Sequence, residues 1–238
     1  MGIKSWLILL IRKLVLGYRA DSASYLKYLK DKGARIGERV FVYSPMHVGI
    51  DMTRPWLIDI GNDVQITRGV TILTHGYDWS VIKSVYGEVL GSSGKVTIGN
   101  NVFIGMNSLI LKGVKIGNNV IIGAGSIVTR DIPDNCVAVG NPAKIICSLD
   151  EYRKKRLDAQ LAEAQELVRE YRLVYHKEPG PAELGEFFWL FEDNPIGLPK
   201  EWDKRMNLLG NREYSNKRFI EHKKEFNSMQ EFLRKCRD

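Results

Sequence analysis

Apolar β-branched positions recur through the middle of this chain with a six-residue step. Ile98, Ile104, Ile110, Ile116, Ile122 and Val128 keep it, as do Ile60, Ile66 and Ile72 upstream. A longer period contains the shorter one: VTIGNNVFIGMNSLI at 96–110 returns eighteen residues later as VKIGNNVIIGAGSIV at 114–128. A fixed internal period is the signature of stacked repeats and overrides local propensity. Six residues are too few for a helix pair or a propeller blade. They suit one short strand and one tight corner, so three steps close a triangular coil. The β-branched residue points inward and stacks on its equivalents, as in a parallel sheet. Four positions beyond it stand Val64, Val70, Val102, Ser108, Val114, Val120 and Ser126, small enough for a second inward place near a corner. Gly61, Asn62, Gly99, Asn100, Asn101, Gly117, Asn118 and Asn119 fall between, where positive φ is expected at the corners. A β-sandwich would space its strands by about 8–12 residues and less regularly. The pattern predicts a mainly β chain wound as a parallel β-helix.

The regular part spans residues 36–148, with less regular first coils over 37–76. Residues 77–95, YDWSVIKSVYGEVLGSSGK, break the beat. An insertion of this length in a compact repeat is usually functional. Beyond Pro142 the repeat stops. Leu157, Leu161, Ala164, Val168, Tyr171 and Tyr175 then alternate steps of four and three, which predicts a helix over 150–176 with one apolar stripe, expected to pack on the β-helix. The aromatic run Phe187–Phe191, loops at Pro195 and Pro199, and a charged helix over 212–236 complete a helical extension, residues 149–238.

Charge changes the picture at one end. The net +7 sits mainly in residues 1–35, which carry eight Lys/Arg against two Asp. Wound as a helix, residues 3–19 put Lys4, Arg12, Lys13 and Arg19 on one side and Trp6 with the leucines on most of the rest. Such a basic amphipathic helix suits either of two roles: peripheral contact with an anionic membrane, or capping of the exposed first coil. No reading motif for nucleic acid lies beside it. Its apolar run is too short for a secretory signal, and no run reaches the roughly 18 residues of a membrane span. Three scattered cysteines argue against a disulfide framework and for a reducing cytoplasm, with attachment to the inner membrane face as the variant.

The run from Val96 to Ile146, with its repeated IG-N-V, then IGAGSIVT, DIP and GNPAK, resembles the hexapeptide-repeat acyltransferases, in particular the maltose, galactoside and capsular-polysaccharide O-acetyltransferases. The resemblance covers about residues 36–148. It implies a left-handed parallel β-helix, a homotrimer and acetyl-CoA as donor. On residue type alone, His75 in ILTHGYDW serves equally as a general base or as a histidine satisfying a corner carbonyl. Imidazole is the side chain whose titration lies nearest neutrality, so it can take a hydroxyl proton and return it to a leaving thiolate. His75 also matches the family's catalytic histidine, just before the insertion, and the resemblance makes it the expected base.

Asp51, Asp78 or a backbone carbonyl can orient such an imidazole. His47, Asp51, Arg54, Asp78 and Trp79 are the candidate acceptor contacts, His47 having a structural role as its alternative. For the donor, the resemblance transfers Phe103, where relatives carry Trp; Met106, whose backbone N–H would face the thioester oxygen; Ala124, beside the pantetheine; and Thr129, Arg130 and Lys144. Cys147 stands where relatives often place a second basic residue. No metal is expected: only His47 and His75 lie in the repeat, and a catalytic zinc needs three protein ligands. The expected function is O-acetylation of a sugar hydroxyl in a surface-glycan precursor. The alternatives are N-acetylation of an amino sugar, or a non-catalytic trimeric β-helix scaffold.

Overall fold

The six-residue beat becomes three stacked columns of short parallel strands. One face holds Arg35–Ile36, Ile58–Ile60, Val96–Ile98 and Lys115–Ile116. The second holds Phe41–Val42, Gln65–Ile66, Val102–Ile104, Val120–Ile122 and Cys136–Val139, and the antiparallel strand Lys144–Ser148 closes it. The third holds Gly49–Ile50, Thr71–Ile72, Leu109–Ile110 and Ile127–Val128. Val102 pairs with Val120 and Ile110 with Val128, so the eighteen-residue sequence repeat is one turn of a three-faced solenoid. This computed structural model describes residues 13–236. It divides into two units, Met1–Tyr152 and Arg153–Asp238.

The inward positions form one column of apolar side chains. Ile60, Ile66, Ile72, Ile98, Ile104, Ile110, Ile116 and Ile122 are all buried, with Val64, Val70, Val102, Val114 and Val120 between them. Each contributes about 1.5–3 kcal/mol by leaving water. Ser108 and Ser126 fill inward places too, because each hydroxyl finds a carbonyl: Gly105 at 2.8 Å and Gly123 at 2.6 Å.

The corner between the first and second faces corrects one expectation. Positive φ is carried there by Asn101 and Asn119, as expected, and by Arg39, Asp63 and Asn135, but not by Gly61, Gly99 and Gly117. Those glycines are needed for close approach: a Cβ on Gly99 would lie 2.6 Å from the Gly117 carbonyl oxygen. The intervening asparagines accept from the coil below, Asn100 Oδ1 from the Asn62 N–H at 2.8 Å and Asn118 Oδ1 from the Asn100 N–H at 2.9 Å. We expect Gly99→Ala to cost about 1–3 kcal/mol by forcing coils apart. Gly113, at φ +83 with nothing within 4 Å of a Cβ built on it, has room for a side chain, so Gly113→Ala should cost about 1–3 kcal/mol through backbone strain alone. Urea midpoints of the two variants check both costs.

The helix Ser22–Asp31 begins where the Asp21 carboxylate accepts from the Ser24 N–H at 2.8 Å, an N-cap. It buries Tyr25 and Leu29 in the solenoid core and so covers the first coil. Arg19 fastens the preceding turn by donating to the carbonyls of Pro45 (2.7 Å) and Val48 (3.2 Å). Residues 3–12 of the candidate interfacial helix lie outside the described residues.

The helix expected over 150–176 is Leu149–Tyr175, most of it in the second unit. Its buried residues, Ala164 and Val168, belong to a separate apolar cluster with Leu184, Phe188, Phe191, Trp202, Phe219 and Phe232. The aromatic run supplies the stripe with a partner within its own unit. Among the described residues no helix is long and apolar enough to cross a membrane.

Candidate active site

The third face delivers a histidine to the edge of the solenoid. The chain leaves strand Thr71–Ile72 through Leu73 and Thr74, and His75–Gly76 then pairs antiparallel with Ser92–Ser93. Both ends of the insertion are therefore tied at His75. Between them the helix Trp79–Tyr86 ends at Gly87, whose φ of +75 is the left-handed C-cap conformation. None of that helix is buried.

One coil earlier, Ile50 pairs with Ile72, and the Asp51 N–H donates to the Ile72 carbonyl at 2.9 Å. This register sets Asp51 beside the histidine although 24 residues separate them. His75 Nδ1 lies 2.6 Å from Asp51 Oδ2. The same oxygen accepts from the Thr74 hydroxyl at 2.5 Å and the Thr74 N–H at 3.2 Å. Asp51 Oδ1 accepts from the Thr53 hydroxyl at 2.7 Å and the Thr53 N–H at 2.9 Å. Burial pushes the Asp51 carboxyl up, but the hydrogen bonds from Thr74, Thr53 and His75 outweigh it and hold the group well below the usual carboxylate range. An ionised carboxylate only accepts, so Nδ1 carries a proton and Nε2 is left for chemistry.

Asp51 is only 9 % exposed and its oxygens are occupied by protein donors. That leaves it little surface for the acceptor contact expected of it, while its bond to His75 is the one an orienting carboxylate would make. Asp78 stands at the N-cap position of the insertion helix without a side-chain cap bond, and among the described hydrogen bonds it makes none with His75. Tyr77 packs its ring against the imidazole at 5.0 Å, and Trp79 lies 6.2 Å from Tyr77. Arg54 precedes the short turn Pro55–Leu57, on the segment that leaves Asp51. Thr53, Thr74 and Tyr77 were not candidates from sequence. Thr74 adjoins His75, yet nothing in the repeat marks it as a partner of residue 51.

The expected donor residues fall elsewhere. Phe103, 41 % exposed, faces outward on the second face between Gln65 and Ile121. Met106, 48 % exposed, and Ala124 occupy the corner between the second and third faces. The Met106 carbonyl accepts from the Gly125 N–H at 2.7 Å, while no described group accepts from the N–H of Met106 or Ala124. Lys144 opens the closing strand of the second face, exposed, whereas Cys147 is buried. Thr129 and Arg130 follow Ile127–Val128 and share the edge that carries His75, further along the solenoid. His47 lies at the Met106 corner, with Nδ1 2.8 Å from Ser44 Oγ. Within one chain, then, a third-face strand separates His75 from Met106, Ala124 and His47. Among the described residues no group of three His, Cys, Asp or Glu side chains is placed to hold a metal ion.

Residues 95–130 match the family model described as bacterial transferase hexapeptide (six repeats). The chain is 53% identical to protein CapG of Staphylococcus aureus over 106 residues, which cover 44% of this chain and 61% of CapG. It is 35% identical to galactoside O-acetyltransferase of Escherichia coli K12 over 142 residues, covering 53% of this chain and 69% of that protein. Among solved structures, maltose O-acetyltransferase of Clostridium difficile 630 aligns at 29% identity with a TM-score of 0.38, covering 53% of this chain and 75% of the other. The chain thus spans less than two thirds of CapG and slightly more of the galactoside enzyme.

Proposed function

The chain belongs to the hexapeptide-repeat transferase family, and from that premise we propose that it moves an acetyl group from acetyl-CoA to a sugar hydroxyl, in a surface-glycan precursor. The observation that carries this reading is the imidazole of His75, held through Nδ1 by a buried carboxylate at 2.6 Å and placed at the mouth of the insertion. Names of relatives support the class of acceptor: one is a galactoside O-acetyltransferase, another a polysialic acid O-acetyltransferase.

In this mechanism Nε2 of His75 takes the acceptor hydroxyl's proton as its oxygen attacks the thioester carbonyl carbon. The backbone N–H of Met106 stabilises the oxyanion, a contribution of about 10²–10³ in rate for comparable donors. The tetrahedral adduct collapses, the C–S bond breaks, and the imidazolium returns its proton to the thiolate. The products are the O-acetyl sugar and CoA, and no acyl-enzyme forms. Tyr77 stands against the base, with Trp79 next to Tyr77, and the two offer aromatic surface to a pyranose.

His75 and Met106 occupy different corners, so a working site takes them from two copies of the chain. A left-handed solenoid assembled as a homotrimer brings one corner to the other three times over. The outward rows support which sides meet. The first face shows Arg35, Asp59, Thr97 and Lys115, with Arg35 Nε 3.1 Å from Asp59, whereas the second shows the largely apolar row Phe41, Gln65, Phe103 and Ile121. The polar face suits water and the apolar one a neighbour. Contact of residues 3–19 with the inner membrane face belongs to the same reading.

The test is release of free CoA thiol from acetyl-CoA with a panel of sugars, nucleotide sugars, amino sugars and serine. Release that depends on a neutral sugar, with an alkali-labile ester as product, is the expected result. Turnover only with amino sugars, giving an alkali-stable amide, would overturn O-transfer. Absence of acetyl-CoA binding by calorimetry would overturn the donor.

A further inference from the structure

The Asp51 carboxylate is surrounded more completely than an orienting group for one imidazole requires. Besides His75 it takes two bonds from Thr53 and two from Thr74, and these come from different coils. Thr74 is fully buried and adjoins His75 in the chain. Thr53 lies two residues beyond Asp51, on the segment leading to Arg54, and its hydroxyl also comes within 3.4 Å of His75 Nδ1.

We infer that Thr53 and Thr74 are positioning residues for the proposed reaction: they fix the rotamer and charge of Asp51, and through it the tautomer of His75. This inference rests on His75 being the base. A buried carboxylate facing only an imidazole would be costly to keep ionised, and it could rotate or accept the imidazole proton outright. With both oxygens saturated by hydroxyl and amide donors, Oδ2 presents a single remaining direction, toward Nδ1. The imidazole is then held as the Nδ1–H form with Nε2 toward the acceptor. The backbone donors build the cradle and the hydroxyls complete it, so the hydroxyls can be deleted without removing the fold's own hydrogen bonds.

Thr74→Val retains shape and the N–H while deleting the 2.5 Å hydroxyl bond. It should lower kcat about 10- to 100-fold, the loss expected for one hydrogen bond to a charged group, with the KM of donor and acceptor within about twofold. Thr74→Ser should recover most of that loss. The second readout is the imidazole ¹⁵N spectrum, with the His75 signals assigned by their absence in His75→Ala. Wild type should show a protonated Nδ1 and a bare Nε2, and Thr74→Val should show the two nitrogens drawn toward an average of tautomers.

Wild-type kcat and an unchanged nitrogen spectrum in Thr74→Val would overturn the inference while leaving His75 as base. A loss confined to KM, or one that Thr74→Ser fails to recover, would also overturn it, since a packing defect explains both. Should Thr74→Val not fold, Thr53→Val carries the same measurements on the more exposed hydroxyl. Full activity of His75→Ala would instead bring down the underlying reading.

Discussion

Replacing His75 with alanine is expected to lower kcat for acetyl transfer about 10²- to 10⁴-fold, the range for a positioned general base. Acetyl-CoA affinity should persist, because the expected donor contacts at Met106, Ala124 and Lys144 lie on other parts of the solenoid, and Thr129 and Arg130, on the same edge as His75, lie further along it. The fold should persist too. His75 lies at the edge, and Asp51 keeps four other hydrogen bonds after the imidazole is gone. Thiol release gives kcat, calorimetry gives the donor affinity, and a melting curve gives the fold. A variant that loses acetyl-CoA binding along with turnover would make His75 a structural residue, and the proposed mechanism would fall with it.

Asp51→Asn should be nearly as damaging, by about 10²- to 10⁴-fold in kcat, as when a triad carboxylate becomes an amide. An asparagine amide cannot present two accepting oxygens. If its oxygen faces His75 and Thr74, its NH₂ meets the donors of Thr53; if reversed, the NH₂ meets Nδ1 and forces the proton to Nε2. Stability adds an independent signature. Burial raises the Asp51 carboxyl, and the bonds from Thr74, Thr53 and His75 lower it further, so its folded pKa lies below the unfolded value of about 3.9. A depressed folded pKa gives stability that is fully present above the unfolded pKa and is lost as pH falls below it. Wild type should therefore exceed Asp51→Asn in denaturant midpoint at pH 7, and the gap should narrow as pH drops below about 4. A gap independent of pH would mean that the carboxylate is not ionised by its surroundings.

The limits of sequence reading appear most clearly in particular residues. Ile98, Ile104 and Ile110 announced their burial by spacing alone, since an inward column needs one apolar residue at each step. Gly99 was visible as a fixed position, but its reason was misassigned. The neighbouring coil's carbonyl excludes a side chain there, and a neighbouring coil is a tertiary fact. His75 stood out by residue type, by its place before the insertion and by resemblance. Its partner did not. Asp78 is three residues away and Asp51 is 24, and only the coil register, with Ile50 beside Ile72, puts the distant carboxylate within 2.6 Å. The stripe through Leu161, Ala164 and Val168 was legible as a stripe, while the aromatic cluster that covers it was not legible as its target.

By itself the sequence determined the coil, the edges of the repeat and the place of the insertion, and it offered His75 as the expected base. The first three follow from local periodicity, a property of neighbouring positions, and the expectation for His75 follows from resemblance. Tertiary structure decided what periodicity cannot express: which carboxylate stands 2.6 Å from His75, which threonines hold that carboxylate, and that His75 stands on a different corner from Met106 and Ala124. Those outcomes depend on register between coils, and register is set by the summed packing of a whole inward column against its neighbours.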